Sequence, residues 1–113
     1  MLRLLLVRHG ETAWNATGRF QGQMDTDLNG AGGRQAVAVA ERLASEEVHA
    51  IYASDLRRAC DTAAAIAARH QVAVQADPRL REINFGAWQG LTYAQMQEQD
   101  PEGLAAWNAD REN

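Results

Sequence analysis

The stretch Leu4-Leu5-Leu6-Val7-Arg8-His9-Gly10-Glu11-Thr12 decides how the chain is read. A short apolar run ends abruptly at an arginine and a histidine, and a glycine follows. An apolar run without alternation, closed by polar residues, is the pattern of a strand buried on both faces in a parallel sheet. In open α/β sheets ligands bind beyond the carboxyl ends of the strands. Leu2 to Val7 is therefore expected to form the first strand, with Arg8 and His9 presented at a ligand site.

Reading outward, Gly10 to Asn29 is a long loop, and a loop of that length inside a small domain is usually functional. Trp14 and Phe20 are placed to pin it to the core. Asn29 is expected to cap a helix running to about Ser45, with Ala36, Val37, Val39, Ala40 and Leu43 as its apolar stripe. Gly30, Gly32 and Gly33 weaken its first turn. They do not form a nucleotide loop: they follow no strand, and no Gly-Lys-Ser/Thr comes after them. Val48 to Ala53 reads as a second strand. Ser54 is expected to cap a helix to about His70, with Asp55 favouring its dipole and Leu56, Ala59, Cys60, Ala63, Ile66 and Ala67 on its buried side. Val72 to Gln75 is a short third strand, turned by Asp77-Pro78. Residues 79–90 are irregular. Leu91 to Gln99 and Glu102 to about Ala109 are expected to be helical, with Pro101 opening the second. Alternating strands and helices argue for a parallel sheet with helical crossovers.

Composition narrows the class. At 113 residues this is one domain or part of one, and 46% hydrophobic residues suit a packed chain rather than a disordered one. The net charge of −4 argues against nucleic acid as a partner. Every basic residue is Arg, so an arginine counts only when its position is argued. The single cysteine, Cys60, allows no intrachain disulfide and suits a reducing compartment. The run from Leu4 to Val7 is too short for a signal peptide or a bilayer span, which makes the cytoplasm the expected location and a membrane partner unexpected. One cysteine and three scattered histidines supply no metal-ligand spacing, and no metal or cofactor is expected.

Three loops follow expected strand ends, and such ends lie on one side of a parallel sheet. The first carries Arg8, His9 and Asn15, the second Ser54, Arg57 and Arg58, the third Arg81, Glu82 and Asn84. One imidazole, several guanidiniums, an amide and a carboxyl group suit a phosphate monoester. Guanidinium forks match phosphate oxygens, a helix N-terminus favours an anion, an imidazole can attack phosphorus, and a carboxylic acid can protonate the leaving alcohol.

Four blocks of the chain, in order, resemble the histidine phosphatase superfamily, the phosphoglycerate-mutase-like proteins. They are Leu6 to Thr12 continuing to Asn15; Arg19-Phe20-Gln21-Gly22 with Asp27-Leu28; Ser54-Asp55-Leu56-Arg57-Arg58-Ala59 with Thr62-Ala63; and Leu80 to Gly86 with Gln89-Gly90-Leu91-Thr92. The resemblance implies a parallel-sheet three-layer α/β sandwich of phosphoglycerate-mutase type. It implies that His9 is the phosphohistidine nucleophile and Glu82 the proton donor and acceptor. By the same likeness Arg8, Asn15 and Arg58 hold the phosphate, and Gln21 and Gly22 line the substrate side. Arg81 and Arg3 are left as surface charges, Arg57 could as easily be a solvated helix residue, and Trp14, Trp88 and Trp107 are taken as packing residues. Glu11 either orients its loop or pairs with an arginine.

Members of that family carry a second catalytic histidine in the later half of the domain. His49, at the start of a strand, and His70, at the end of a helix, do not match it. Residues 1–113 therefore read as the N-terminal part of one such domain, with an incomplete sheet whose open edge is expected either to pair with another chain, a second copy included, or to present a strained, sticky surface. The expected function is hydrolysis of a small phosphorylated metabolite through phosphohistidine. Mutase-type phosphoryl transfer is the alternative in the same fold. A fragment without turnover, or a module that binds a phosphate ester or a protein, is the alternative outside it.

Overall fold

Parallel strands need a crossover between them, and here a helix supplies it. The structure, a computed structural model, describes residues 2–112. Strand β1 (Ile51–Ala53) pairs in parallel with β2 (Val74–Ala76), in the register Ile51 with Val74, Tyr52 with Gln75 and Ala53 with Ala76. Between them runs α3 (Arg57–Ala67). Ahead of β1 lie the one-turn helix α1 (Ala13–Ala16) and the longer α2 (Gly30–Leu43). After β2 come two 3-10 turns, Pro78–Leu80 and Gly86–Trp88, then α4 (Tyr93–Gln99) and α5 (Pro101–Glu112).

The packed centre is the α2–α3 interface with the β1 end beside it. Ala36 and Ala40 of α2, and Ala63 and Ile66 of α3, are buried together with Ala53 and Leu56. Small side chains on both helices suit close packing, and the start of α2 lies hard against the backbone of Gly10 and Glu11. A Cβ on Gly32 would collide with the backbone of Glu11, and one on Gly10 with the backbone of Gly32. Asn29 caps α2 as expected, its side chain accepting from the Gly32 amide at 2.8 Å. Val37 departs from the expected stripe and is 54% exposed.

The segment from Leu2 to Val7 corrects the expectation of a first strand. It makes no ladder with any described residue, and the sheet has two strands, not three. Leu2, Leu4 and Leu6 are largely exposed, and Leu5 and Val7 are exposed to about half that extent. Arg3 reaches Glu46 at 2.9 Å. Apolar composition says that a segment gains from burial, but a central parallel strand also needs backbone partners on its edges. The expected α/β architecture with a parallel sheet and a helical crossover is present, and the sandwich is incomplete in this chain because Leu2 to Val7 finds no ladder partner among the described residues.

The start of α3 is a second correction. Ser54 does not cap the helix. Its hydroxyl accepts from the Leu56 amide at 3.1 Å, a local turn that delays the helix to Arg57. Asp25 from the distant loop accepts from the Arg57 amide at 2.7 Å and supplies the carboxylate there. At the other end the helix stops at Ala67, short of His70, and Gln71 turns away in the left-handed region at φ 56°. Pro101 opens α5 as expected, with Asp100 accepting from the Gly103 amide at 3.1 Å. The aromatics pack edge to face: Phe20 on Phe85 at 4.9 Å and Trp88 on Trp107 at 5.9 Å between ring centroids. Among the described residues no helix is long and apolar enough to cross a membrane.

Candidate active site

His9 follows the exposed segment, and the residues after it are held closely. The Gly10 amide donates to the Thr62 hydroxyl at 3.0 Å, and that hydroxyl donates to the Arg58 carbonyl at 2.8 Å, one turn earlier in α3. The Glu11 amide donates to Gln35 at 2.8 Å. Among the described residues Glu11 pairs with no arginine: its side chain accepts from Asn29 at 3.0 Å and orients the loop. The His9 backbone is thus fixed against both α2 and α3.

The imidazole is fixed as well. Nδ1 lies 2.7 Å from the Gly10 carbonyl oxygen. A carbonyl only accepts, so Nδ1 carries the hydrogen and donates it. In the neutral ring Nε2 then bears the lone pair. Nε2 faces Oε1 of Glu82 at 3.2 Å. A hydrogen bond across that contact needs a proton on one side or the other, so the two groups form a hydrogen-bonded couple. The His9 side chain is 12% exposed and that of Glu82 is 50% exposed, so the couple is open to ligand from the Glu82 side. The fold brings together two groups that are far apart in sequence.

The remaining expected residues divide into two sets. Asn15 and Gln21 line, with Glu82, Phe20 and Arg19, a cleft of about 280 Å³. Asn15 closes the capping box of α1, its Oδ1 accepting from the Thr12 amide at 3.1 Å. Gln21 is buried and its Oε1 accepts from the hydroxyls of Thr12 at 2.5 Å and Thr26 at 2.6 Å. The amide nitrogens of both residues make no hydrogen bond among the described residues. Arg8, next to His9 in the chain, is exposed and makes no hydrogen bond or ion pair among the described residues.

Gly22 and Arg58 are engaged with each other. Arg58 is 1% exposed and donates to the carbonyls of Gly22 and Met24, each at 2.5 Å, and to the Thr26 hydroxyl at 3.1 Å. Burial pushes its guanidinium below the ordinary arginine range, and the charges of Glu82 and Asp25 act in the other direction. A phosphate contact by Arg58 would have to replace one of these loop bonds. Gly22 sits at φ 53°, in the left-handed region, and a Cβ there would press on the Ile83 carbonyl and the Gln89 side chain. The N-terminus of α3 presents no open anion site at its first amide, because Asp25 already holds it.

Sequence reasoning missed three supporting residues. Arg81, read as a surface charge, makes a two-pronged ion pair with Asp55, with both N···O distances 2.6 Å. Gln89 accepts from the Gln23 amide at 2.9 Å. Arg19 donates to the Gly90 carbonyl at 2.6 Å and ties the first long loop to the last. The signal for each was weak, since a single polar residue in an irregular stretch has no periodicity to reveal its partner. His49 lies beside Glu47 at 3.3 Å on the surface, and His70 contacts the Leu43 carbonyl at 2.9 Å at the far end of α2. Neither joins His9. Among the described residues no group of three or more His, Cys, Asp or Glu side chains could hold a metal ion.

A family profile described as the histidine phosphatase superfamily, branch 1, matches residues 4–113. The chain belongs to the histidine phosphatase superfamily. It is 48% identical over 108 residues to a glucosyl-3-phosphoglycerate phosphatase of Mycolicibacterium vanbaalenii, which covers 96% of this chain and 48% of that protein. It is 50% identical over 106 residues to a metal-independent phosphoserine phosphatase of Arabidopsis thaliana, covering 92% of this chain and 44% of that protein. Among solved structures, a mycobacterial glucosyl-3-phosphoglycerate phosphatase in complex with VO3 superposes with a TM-score of 0.82 at 47% identity, over 88% of this chain and 47% of that one. The chain therefore spans about half the length of the superfamily relatives it matches.

Proposed function

We propose that this chain carries the phosphoryl-accepting site of a phosphomonoesterase that acts on a small phosphorylated metabolite through a phosphohistidine at His9. The observation that carries the reading is the state of His9: Nδ1 is committed to the Gly10 carbonyl, and Nε2 is presented at 3.2 Å from the Glu82 carboxyl group. The names of the phosphatase relatives support it.

In the first step the Nε2 lone pair attacks phosphorus and the bond to the ester oxygen breaks. The Glu82 carboxyl gives its proton to the departing oxygen, so the product leaves as an alcohol. In the second step water attacks the phosphorus, the ionised Glu82 takes a proton from that water, and the P–N bond breaks. Inorganic phosphate leaves and both residues return to their starting states. Throughout, the Nδ1–H bond to Gly10 keeps Nε2 as the reacting nitrogen. The free Arg8 guanidinium supplies positive charge for the transferring group, and the Asn15 amide can donate to it. Gln21 and Gly22 shape the substrate side through the loop that Arg58 holds. The lone thiol of Cys60 suits a cytoplasmic setting.

The test is phosphate release from a panel of small phosphomonoesters that includes phosphoserine and glucosyl-3-phosphoglycerate, with the unchanged chain and with His9→Asn. The reading expects release that His9→Asn abolishes. Phosphoglycerate interconversion without net release would replace it with mutase chemistry. Saturable binding of the esters without release would replace it with a binding role.

A further inference from the structure

Glu82 is a poorly supported side chain for the position it holds. Arg81, Glu82, Ile83 and Asn84 are all exposed, and no regular element contains them. Half of the Glu82 side chain faces solvent, yet its Oε1 stands 3.2 Å from His9. A carboxylate on an irregular loop stays within reach of a distant partner only where the loop backbone that carries it is held. Two tethers fix it. The Glu82 carbonyl accepts from Gln23 Nε2 at 3.3 Å, and the residue before it is clamped by Asp55.

That clamp has the geometry of a positioning device. Arg81 Nε and Nη2 each meet a different oxygen of Asp55 at 2.6 Å, the planar two-point match that fixes orientation as well as distance. Asp55 lies in the turn between β1 and α3, the same turn whose Ser54 hydroxyl holds Leu56. The Asp77 amide donates to the Ala53 carbonyl at 2.8 Å, so the strand ends before the two loops are already joined. The α3 end of this frame also bears Thr62, which holds Gly10 and hence His9. One rigid body therefore carries the nucleophile directly and the carboxyl group through Arg81.

We infer that the Arg81–Asp55 ion pair is the positioning device that sets the Glu82 carboxyl group against His9 Nε2, and so sets the efficiency of proton delivery to the leaving group. The inference rests on the phosphohistidine reading above. A positioned general acid matters most when the departing oxygen is a poor leaving group. An aryl ester such as p-nitrophenyl phosphate leaves as a stable anion and gains little from protonation. An alkyl ester such as glycerol phosphate depends on it. Loss of the clamp therefore affects the two esters unequally, which a general loosening of the fold would not do.

The experiment measures kcat/KM, which reports the steps up to phosphohistidine formation, for both esters with the unchanged chain, Arg81→Met, Asp55→Asn and the exchanged pair Arg81→Asp with Asp55→Arg. Each single change is expected to lower the alkyl ester rate by about 10- to 100-fold and the aryl ester rate by less than about threefold, because a misplaced acid group forfeits most of its effect. The exchanged pair is expected to recover part of the alkyl rate. Equal losses on both esters, or no loss on the alkyl ester, would overturn the inference. If the unchanged chain turns over neither ester, the phosphohistidine reading fails, and the clamp is judged separately by NMR of the histidine ring nitrogens. Arg81→Met is then expected to move the signals of His9 but not those of His49 or His70. Unmoved His9 signals would overturn the positioning role.

Discussion

The chain enters His9 through an exposed apolar segment and leaves it through a polar loop that is closely held. Leu2 to Val7 has the more hydrophobic composition and the weaker structure. Gly10 to Asn29 is rich in polar residues, yet Thr12 and Gln21 are buried in it and bonded to one another. What separates the two is the availability of specific partners. The loop brings donors and acceptors that meet α2, α3 and one another. The apolar segment brings surface without a backbone ladder.

The largest expected effect falls at the junction itself. His9→Asn should lower phosphate release by about 10⁴-fold or more, the scale of removing a covalent nucleophile, while shifting urea unfolding by less than about 1 kcal/mol. A comparable loss of stability would mean that His9 is a structural residue of the loop.

Within the held region, Arg58→Met should destabilise the chain by about 2–4 kcal/mol, because it leaves the buried Gly22 carbonyl, and Met24 with it, without a donor. Gly32→Ala should cost about 1–3 kcal/mol, since the added methyl meets the Glu11 backbone, which cannot swing away as a side chain would. Both are read from urea unfolding midpoints. On the other side of His9, Leu6→Ser should change stability by less than about 0.5 kcal/mol, because Leu6 is 88% exposed. A loss above about 2 kcal/mol would show that the segment is buried and erase the contrast.

Acid should sharpen the contrast least but with a definite sign. The hydrogen bonds from Arg81 hold the Asp55 carboxyl below the ordinary carboxylate value of 3.8. A folded-state value lower than the unfolded one stabilises the fold above the unfolded value, and that contribution is lost as pH falls through the folded one. Stability should therefore decline on acidification below about pH 4, and the decline should be shallower in Arg81→Met.

These contrasts also show what the sequence made legible. The Asn29 cap, the opening of α5 at Pro101 and the parallel arrangement around α3 follow from local chemistry, and the structure has them. The approach of Glu82 to His9 followed from placing their loops on one side of a parallel sheet and from the likeness of four ordered blocks, since no local rule joins residues so distant. The strand expected at Leu2 to Val7 failed because composition reports a need for burial, not its satisfaction. Ser54 failed as a cap because a carboxylate from Asp25, far away in sequence, took that place. Arg81 was misjudged because an arginine's partner is decided by the loop that reaches it: it looked solvated and is clamped by Asp55. Arg58, expected to hold phosphate, is bonded to the Gly22 and Met24 carbonyls and would meet a phosphate by exchanging one of those bonds.

The central claim is that His9 Nε2 accepts a phosphoryl group. Mixing the chain with a phosphomonoester, quenching in alkali within milliseconds and mapping the phosphate by mass spectrometry tests it directly. The account predicts an acid-labile, base-stable phosphoryl group on His9 that is absent from His49 and His70 and disappears in His9→Asn. Phosphate release without any phosphohistidine, or label retained in His9→Asn, would contradict it.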